Sequence, residues 1–108
     1  MEKTVSEAIK NRRSVRIFKE NKIDSNKVKK CIYNATLAPN SSNLQLWEFV
    51  HVNDPLCLKK LSKACMNQSA AKTASQIVVV ITRKDLWKKR SKENIEFLNT
   101  QYLSLIHI

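Results

Sequence analysis

No glycine occurs anywhere in the 108 residues. A domain of this size ordinarily carries about seven percent of it. The G-x-G-x-x-G turn of dinucleotide-binding folds and the phosphate-cradling P-loop both need glycine, because only it lets the backbone approach a phosphate closely. Both architectures are therefore excluded, and the fold has to be read from apolar periodicity.

Val5, Ala8 and Ile9 fall at i, i+3, i+4 and predict a short opening helix that fails near Asn11. A charged connection follows, and Asp24 or Ser25 is the expected N-cap of a second helix carrying Val28, Cys31, Ile32 and Ala35 inward. Pro39 ends that helix, since the residue before a proline is pushed out of the α region. Trp47 to Val52 alternates with period two, as a half-buried strand does. Asp54-Pro55 reads as N-cap and first residue of a helix with Leu58, Leu61 and Cys65 on one face. Asn67 to Ala74 is small and polar, a loop with a short helical turn. The β-branched run Gln76 to Thr82 suits a strand buried on both faces, and Leu86, Asn94, Phe97 and Leu98 mark a last helix. Helix, helix, strand, helix, strand, helix is a mixed α/β layered order.

The net charge of +11 raises the possibility of a small basic nucleic-acid-binding protein. Nine of the 20 basic residues lie between Lys10 and Lys30 and six between Arg83 and Lys92, without the aromatic strands of an RNA-binding sheet or a Cys/His finger. A solvated basic face, or a site for a smaller phosphate, are the competing readings. Cys31, Cys57 and Cys65 form no CxxC pair and have no histidine at ligand spacing, so no metal site is expected. Cys31 and Cys65 are expected to be buried thiols. The longest apolar run, Ile77 to Ile81, is strand-sized, and no apolar leader follows Met1, which makes a cytoplasmic location the expectation.

Two segments carry candidate chemistry. Arg12-Arg13-Ser14-Val15-Arg16 places three guanidinium groups and a hydroxyl within five residues. Guanidinium forks match phosphate oxygens, and in an extended segment Arg12, Ser14 and Arg16 share one face while Arg13 points away. Read alone, the segment is equally a solvated basic turn. Ala38-Pro39-Asn40-Ser41-Ser42-Asn43-Leu44-Gln45-Leu46-Trp47-Glu48-Phe49 joins a helix end, a loop crowded with amides and hydroxyls, and an aromatic strand. Such a loop can meet the polar edge of a heterocycle, and it can also be an ordinary turn.

The two segments in this order, followed by a short helix and a valine-rich strand, resemble the nitroreductase family of FMN flavoproteins over about Val5 to Thr82. The resemblance implies an α+β fold, a three-layer α/β/α sandwich with a mixed sheet, incomplete in this chain. It assigns the FMN phosphate and ribityl chain to Arg12, Arg13, Ser14 and Arg16. Pro39, Asn40, Ser41 and Asn43, supported by Gln45, would reach the flavin of the other subunit in an intertwined homodimer. Asn67, with Gln68 as neighbour, aligns with a flavin-contacting asparagine, whereas Trp47 and Phe49 would pack beneath the loop. No catalytic side chain and no metal ligand are implied; His51 and His107 are assigned no role. The implied activity is hydride transfer from NAD(P)H through the flavin to nitro compounds, quinones or similar small-molecule acceptors.

Asn40 stands where the family usually has serine and Leu46 where it usually has proline, which loosens the loop. Family members run to about two hundred residues and complete the flavin site from their C-terminal half. Residues 1–102 are accordingly expected to be the N-terminal part of the FMN-binding domain, weak in FMN binding, inactive and poorly soluble alone because of open strand edges. Leu103-Ser104-Leu105-Ile106-His107-Ile108 is expected to be a non-native tail that neither completes a helix nor supplies a cap. It matches the conceptual translation of a common sequencing adapter.

Overall fold

A computed structural model describes residues 2–106, with side chains described up to Gln101. The first helix, α1 (Val5–Asn11), begins with a capping box. Thr4 Oγ1 accepts the Glu7 N–H at 3.3 Å, and Glu7 Oε2 accepts the Thr4 N–H at 2.8 Å. That bond, together with one from the Thr4 hydroxyl, holds the Glu7 carboxyl below its ordinary value. α2 (Ser25–Thr36) is capped by Asp24, whose carboxylate accepts the Asn26 N–H at 3.0 Å. It ends at Thr36, with Leu37 as C-cap two residues ahead of Pro39. β1 (Trp47–Val52) is followed by α3 (Pro55–Ala64), with Asp54 as N-cap and Pro55 at the first position. The Cys57 N–H donated to the Asp54 carboxylate at 2.9 Å keeps that carboxyl below its usual range, and the same neighbour pushes the Cys57 thiol up. α4 (Ser69–Thr73), β2 (Ile77–Thr82), a 3₁₀ turn at Lys84–Leu86 and α5 (Trp87–Ile106) complete the order.

The chain divides into two units. The first comprises the residues up to Lys22 with Asn53–Ile77, and the second Ile23–Val52 with the residues from Val78 onward. In the first unit α3 packs on α4. The Phe18 N–H donates to Thr73 Oγ1 at 3.0 Å and the Ser75 hydroxyl to the Asn21 carbonyl at 2.8 Å, so the segment after the arginines is tied to α4. In the second unit β1 and β2 pair as a two-stranded sheet. The Arg83 N–H reaches the Leu46 carbonyl at 2.8 Å, joining the end of β2 to the start of β1, the register of an antiparallel pair. Arg83 also bridges Glu48 on β1 and Asp85 in the 3₁₀ turn. Asp85 first, then Glu48, raises the guanidinium further from deprotonation, and Arg83 lowers Asp85 in return.

The α+β class and its incompleteness agree with the sequence: of the mixed sheet, the described residues hold one antiparallel pair. Several local expectations are corrected. β2 is not buried on both faces, for Val78, Val80 and Ile81 are exposed. Its pleat sends alternate side chains to opposite faces, and no third layer covers the outer one among the described residues. Cys31 and Cys65 are exposed free thiols, because the faces of α2 and α3 that carry them are uncovered. Among the described residues Ser62 alone is buried; the apolar side chains stop at half-buried. α5 runs through Ile106, so the first four residues of the expected tail are helical. Leucine, serine and isoleucine propagate an established helix, and no proline or glycine intervenes. His107 and the rest of the expected tail lie outside the described residues. Among the described residues no helix is long and apolar enough to cross a membrane.

Candidate functional site

The arginine segment leaves α1 at Arg12, the C-cap, whose extended backbone (φ −62°, ψ 147°) starts a non-helical stretch through Arg16. Arg13 turns back onto the helix it follows, its Nη1 donating to the carbonyls of Arg12 at 2.9 Å and Lys10 at 3.3 Å. A cation there complements the partial negative charge of a helix C-terminus. Among the described residues the side chains of Arg12, Ser14 and Arg16 make no hydrogen bond or ion pair. Arg16 lines a cleft of about 570 Å³ with Gln68, Ser69 and Ala70 at the start of α4.

That wall is positioned by the turn ending α3. The Met66 N–H bonds to the Lys63 carbonyl at 3.0 Å and the Asn67 N–H to the Ser62 carbonyl at 2.9 Å, the pairing of a Schellman cap. Glycine normally occupies the left-handed position of this motif. Here Met66 (φ 55°) and Asn67 (φ 52°) adopt it in succession. Asn67 lines another cleft of about 420 Å³ with Leu58, Ser62, Lys63 and Lys72. Gln68, its neighbour, lines the Arg16 cleft together with Ser69 and Ala70, which sequence reasoning missed. Neither has a chemical signature; their backbone position at the start of α4 brings them there.

In the second unit Pro39, Asn40, Ser41 and Asn43 form a compact loop whose centre is a 3₁₀ turn at Ser41–Asn43. Ser42 (φ 50°), Asn43 (φ 49°) and Gln45 (φ 49°) are all left-handed. Non-glycine residues hold this conformation at a cost of about 1–2 kcal/mol each unless local bonds favour it. Such bonds are present. Asn40 Oδ1 accepts the Gln45 N–H at 2.9 Å, and Gln45 Nε2 donates to Asn43 Oδ1 at 3.0 Å. Asn94, on α5, donates its amide to the carbonyls of Ser42 at 2.7 Å and Asn43 at 3.2 Å. Pro39, Ser41 and Asn43 are exposed, while Asn40 and Gln45 are half-buried. Trp47 and Phe49, also half-buried, form a tilted pair with ring centroids 5.4 Å apart beside the loop's exit.

Such an arrangement offers unpaired guanidinium donors in one unit and a pre-shaped polar loop in the other. Among the described residues no group of three or more His, Cys, Asp or Glu side chains is placed to hold a metal ion.

The family model described as "Nitroreductase family" matches residues 9–104. A protein of Archaeoglobus fulgidus provisionally named NADH dehydrogenase/NAD(P)H nitroreductase is 36% identical over 69 residues, covering 64% of this chain and 40% of that protein. The "CLA biosynthesis enone reductase" of Lactiplantibacillus plantarum is 37% identical over 89 residues, covering 73% and 41%. The crystal structure of a protein from Clostridium acetobutylicum, titled provisionally as an NADH oxidase, superposes with a TM-score of 0.61 at 30% identity, covering 82% of this chain and 57% of that one. The chain thus spans about two fifths of the length of these curated relatives. With the family model spanning 96 consecutive residues and the fold matched by a solved relative, the chain belongs to the nitroreductase family.

Proposed function

We propose that this chain contributes the N-terminal part of the cofactor site of an FMN-dependent oxidoreductase that takes hydride from NAD(P)H and delivers it to nitro compounds, quinones or similar acceptors. The observation that carries the proposal is the Arg16 guanidinium, unpartnered among the described residues, lining a cleft with Gln68, Ser69 and Ala70. A dianionic phosphate suits such donors, and the glycine-free sequence holds neither a G-x-G-x-x-G turn nor a P-loop. Arg12, Ser14 and Arg16 would bind the phosphate and the ribityl hydroxyls, and Arg13 would hold the end of α1 from which they project. Asn67, with its neighbour Gln68 lining the Arg16 cleft, would contact the flavin.

Pro39, Asn40, Ser41 and Asn43 would face the flavin of a second subunit in a homodimer, with the loop's shape set before the flavin arrives. FMN, when bound, supplies the redox chemistry, and the protein supplies binding, orientation and electrostatics. None of the chain's side chains is required as a nucleophile or metal ligand. The names of the relatives support an oxidoreductase and leave the acceptor open.

The test is a titration of the protein, in the full length its gene specifies, with FMN, followed anaerobically by NADH and NADPH. Quenching of flavin fluorescence to a stoichiometric end point and bleaching of the flavin absorbance by either nucleotide are expected. A protein that leaves FMN fluorescence unchanged at near-millimolar concentration would overturn the proposal.

A further inference from the structure

The half-buried face of α5 is polar where a packing helix would be apolar. Arg90, Ser91 and Asn94 are half-buried, whereas Ile95, Phe97 and Leu98 are exposed. A stripe facing the protein normally carries the apolar residues, since their burial drives docking. The exception has a partner in the loop that follows α2. The Asn94 amide nitrogen donates to consecutive main-chain carbonyls, those of Ser42 and Asn43, 52 and 51 residues away in sequence. Carbonyl oxygens can only accept, so the nitrogen of the amide, not its oxygen, must face them.

Those two carbonyls belong to residues held left-handed, the conformation that a chain with no glycine must stabilise by other means. The turn's own bonds, the Asn43 N–H to the Asn40 carbonyl at 3.1 Å and the Leu44 N–H to the Ser41 carbonyl at 3.1 Å, involve neither carbonyl. Asn94 is thus the contact from α5 that satisfies the turned-out carbonyls, and it fixes the orientation of the peptide planes between Ser42 and Leu44.

We infer that Asn94 is a positioning residue, a latch from α5 that holds the Ser41–Asn43 turn in its flavin-facing shape without itself touching the cofactor. The latch stands on geometry; its effect on the cofactor rests on the FMN reading above. An asparagine serves here and a carboxylate would not, because Asn94→Asp sets a negative oxygen against two carbonyl oxygens. Asn94→Ala removes the donors and improves the intrinsic helix propensity of α5.

The experiment is amide hydrogen exchange on the wild type, N94A and N94D, with FMN titrations of the same proteins. Expected are amides of Asn43, Leu44 and Gln45 that exchange about tenfold faster in N94A and faster still in N94D. The amides of α2 should be unchanged, and the melting temperature of N94A should not fall. A merely helix-stabilising role for Asn94 predicts instead no change in the loop amides. Acidification, which returns a donor proton to the N94D carboxyl, should narrow its gap from wild type at the same pH. FMN affinity should fall about tenfold in N94A and further in N94D. Unaltered exchange of the loop amides overturns the latch, whether or not flavin binds. A loosened loop with unaltered FMN affinity overturns its positioning role, whereas failure of the wild type to bind FMN sinks the FMN reading, and with it the cofactor role, and leaves the latch to be decided by exchange.

Discussion

The arginine segment and the Asn40–Gln45 loop are comparably polar, yet they hold their hydrogen-bonding groups in opposite states. Among the described residues Arg12, Ser14 and Arg16 keep their side-chain donors unpartnered, whereas Arg13 satisfies itself on the carbonyls of Lys10 and Arg12. In the loop, Asn40, Asn43 and Gln45 bond to one another and Asn94 closes the set from α5. The difference teaches which part of a ligand each region suits. Like charges repel and must be neutralised by the ligand, so an open cationic grip gains most from a dianion. A loop whose amides are already engaged presents a fixed surface, and its ordering cost falls before binding.

The largest effect should come from the open grip. Arg16→Ala is expected to weaken FMN binding by about 10- to 100-fold, the range for losing a charge-assisted bond to phosphate, and to flatten the salt dependence. Arg13→Ala should change affinity less than about threefold. Fluorescence titrations at two ionic strengths compare them, and equal losses at both positions would break the distinction between free and self-satisfied arginines.

A smaller effect is expected at Asn40. Its Oδ1 supports the left-handed Gln45, so Asn40→Ala should destabilise the second unit by about 1 kcal/mol, whereas Asn40→Asp, which keeps the acceptor, should largely spare it. Chemical denaturation of the three proteins reads this directly. At the turn beside the grip, Met66→Gly should raise stability by roughly 0.5–1 kcal/mol, because relief of the left-handed penalty exceeds the added entropy of the unfolded chain. A loss of stability there would mean that the Met66 side chain packs usefully despite its exposure.

Acid should act on the helix caps. Glu7 and Asp54 have folded-state pKa values below their ordinary 4.5 and 3.8, so their contribution is fully present above those values and is lost as pH falls through the lowered ones. Thermal melts between pH 6 and pH 2.5 should show Glu7→Ala and Asp54→Ala less stable than wild type at the upper end, with the gap narrowing at the lower. The smallest effect belongs to the Arg83 network, which is substantially exposed. Glu48→Gln should lower the melting temperature slightly in dilute buffer and not at all in about 1 M salt.

The sequence by itself determined the elements and the two candidate segments. Helix bounds followed from caps with a local chemical cause, Asp24, Asp54 and Pro55, β1 from a period of two and β2 from a run of β-branched residues. The Arg12–Arg16 and Pro39–Asn43 segments were legible because their chemistry is concentrated in a few consecutive residues. Burial was not legible: an apolar stripe on α2 or β2 states what a face would cover, and only the folded chain shows that Cys31, Val80 and Ile81 remain exposed. Tertiary structure also decided that Gln68, one residue beyond Asn67, lines the Arg16 cleft, since two successive left-handed residues redirect the chain at the end of α3. Nor could sequence pair Asn94 with Ser42 and Asn43. A hydrogen bond spanning half the chain leaves no periodic trace, because its two ends are brought together by the packing of α5 and not by their neighbours.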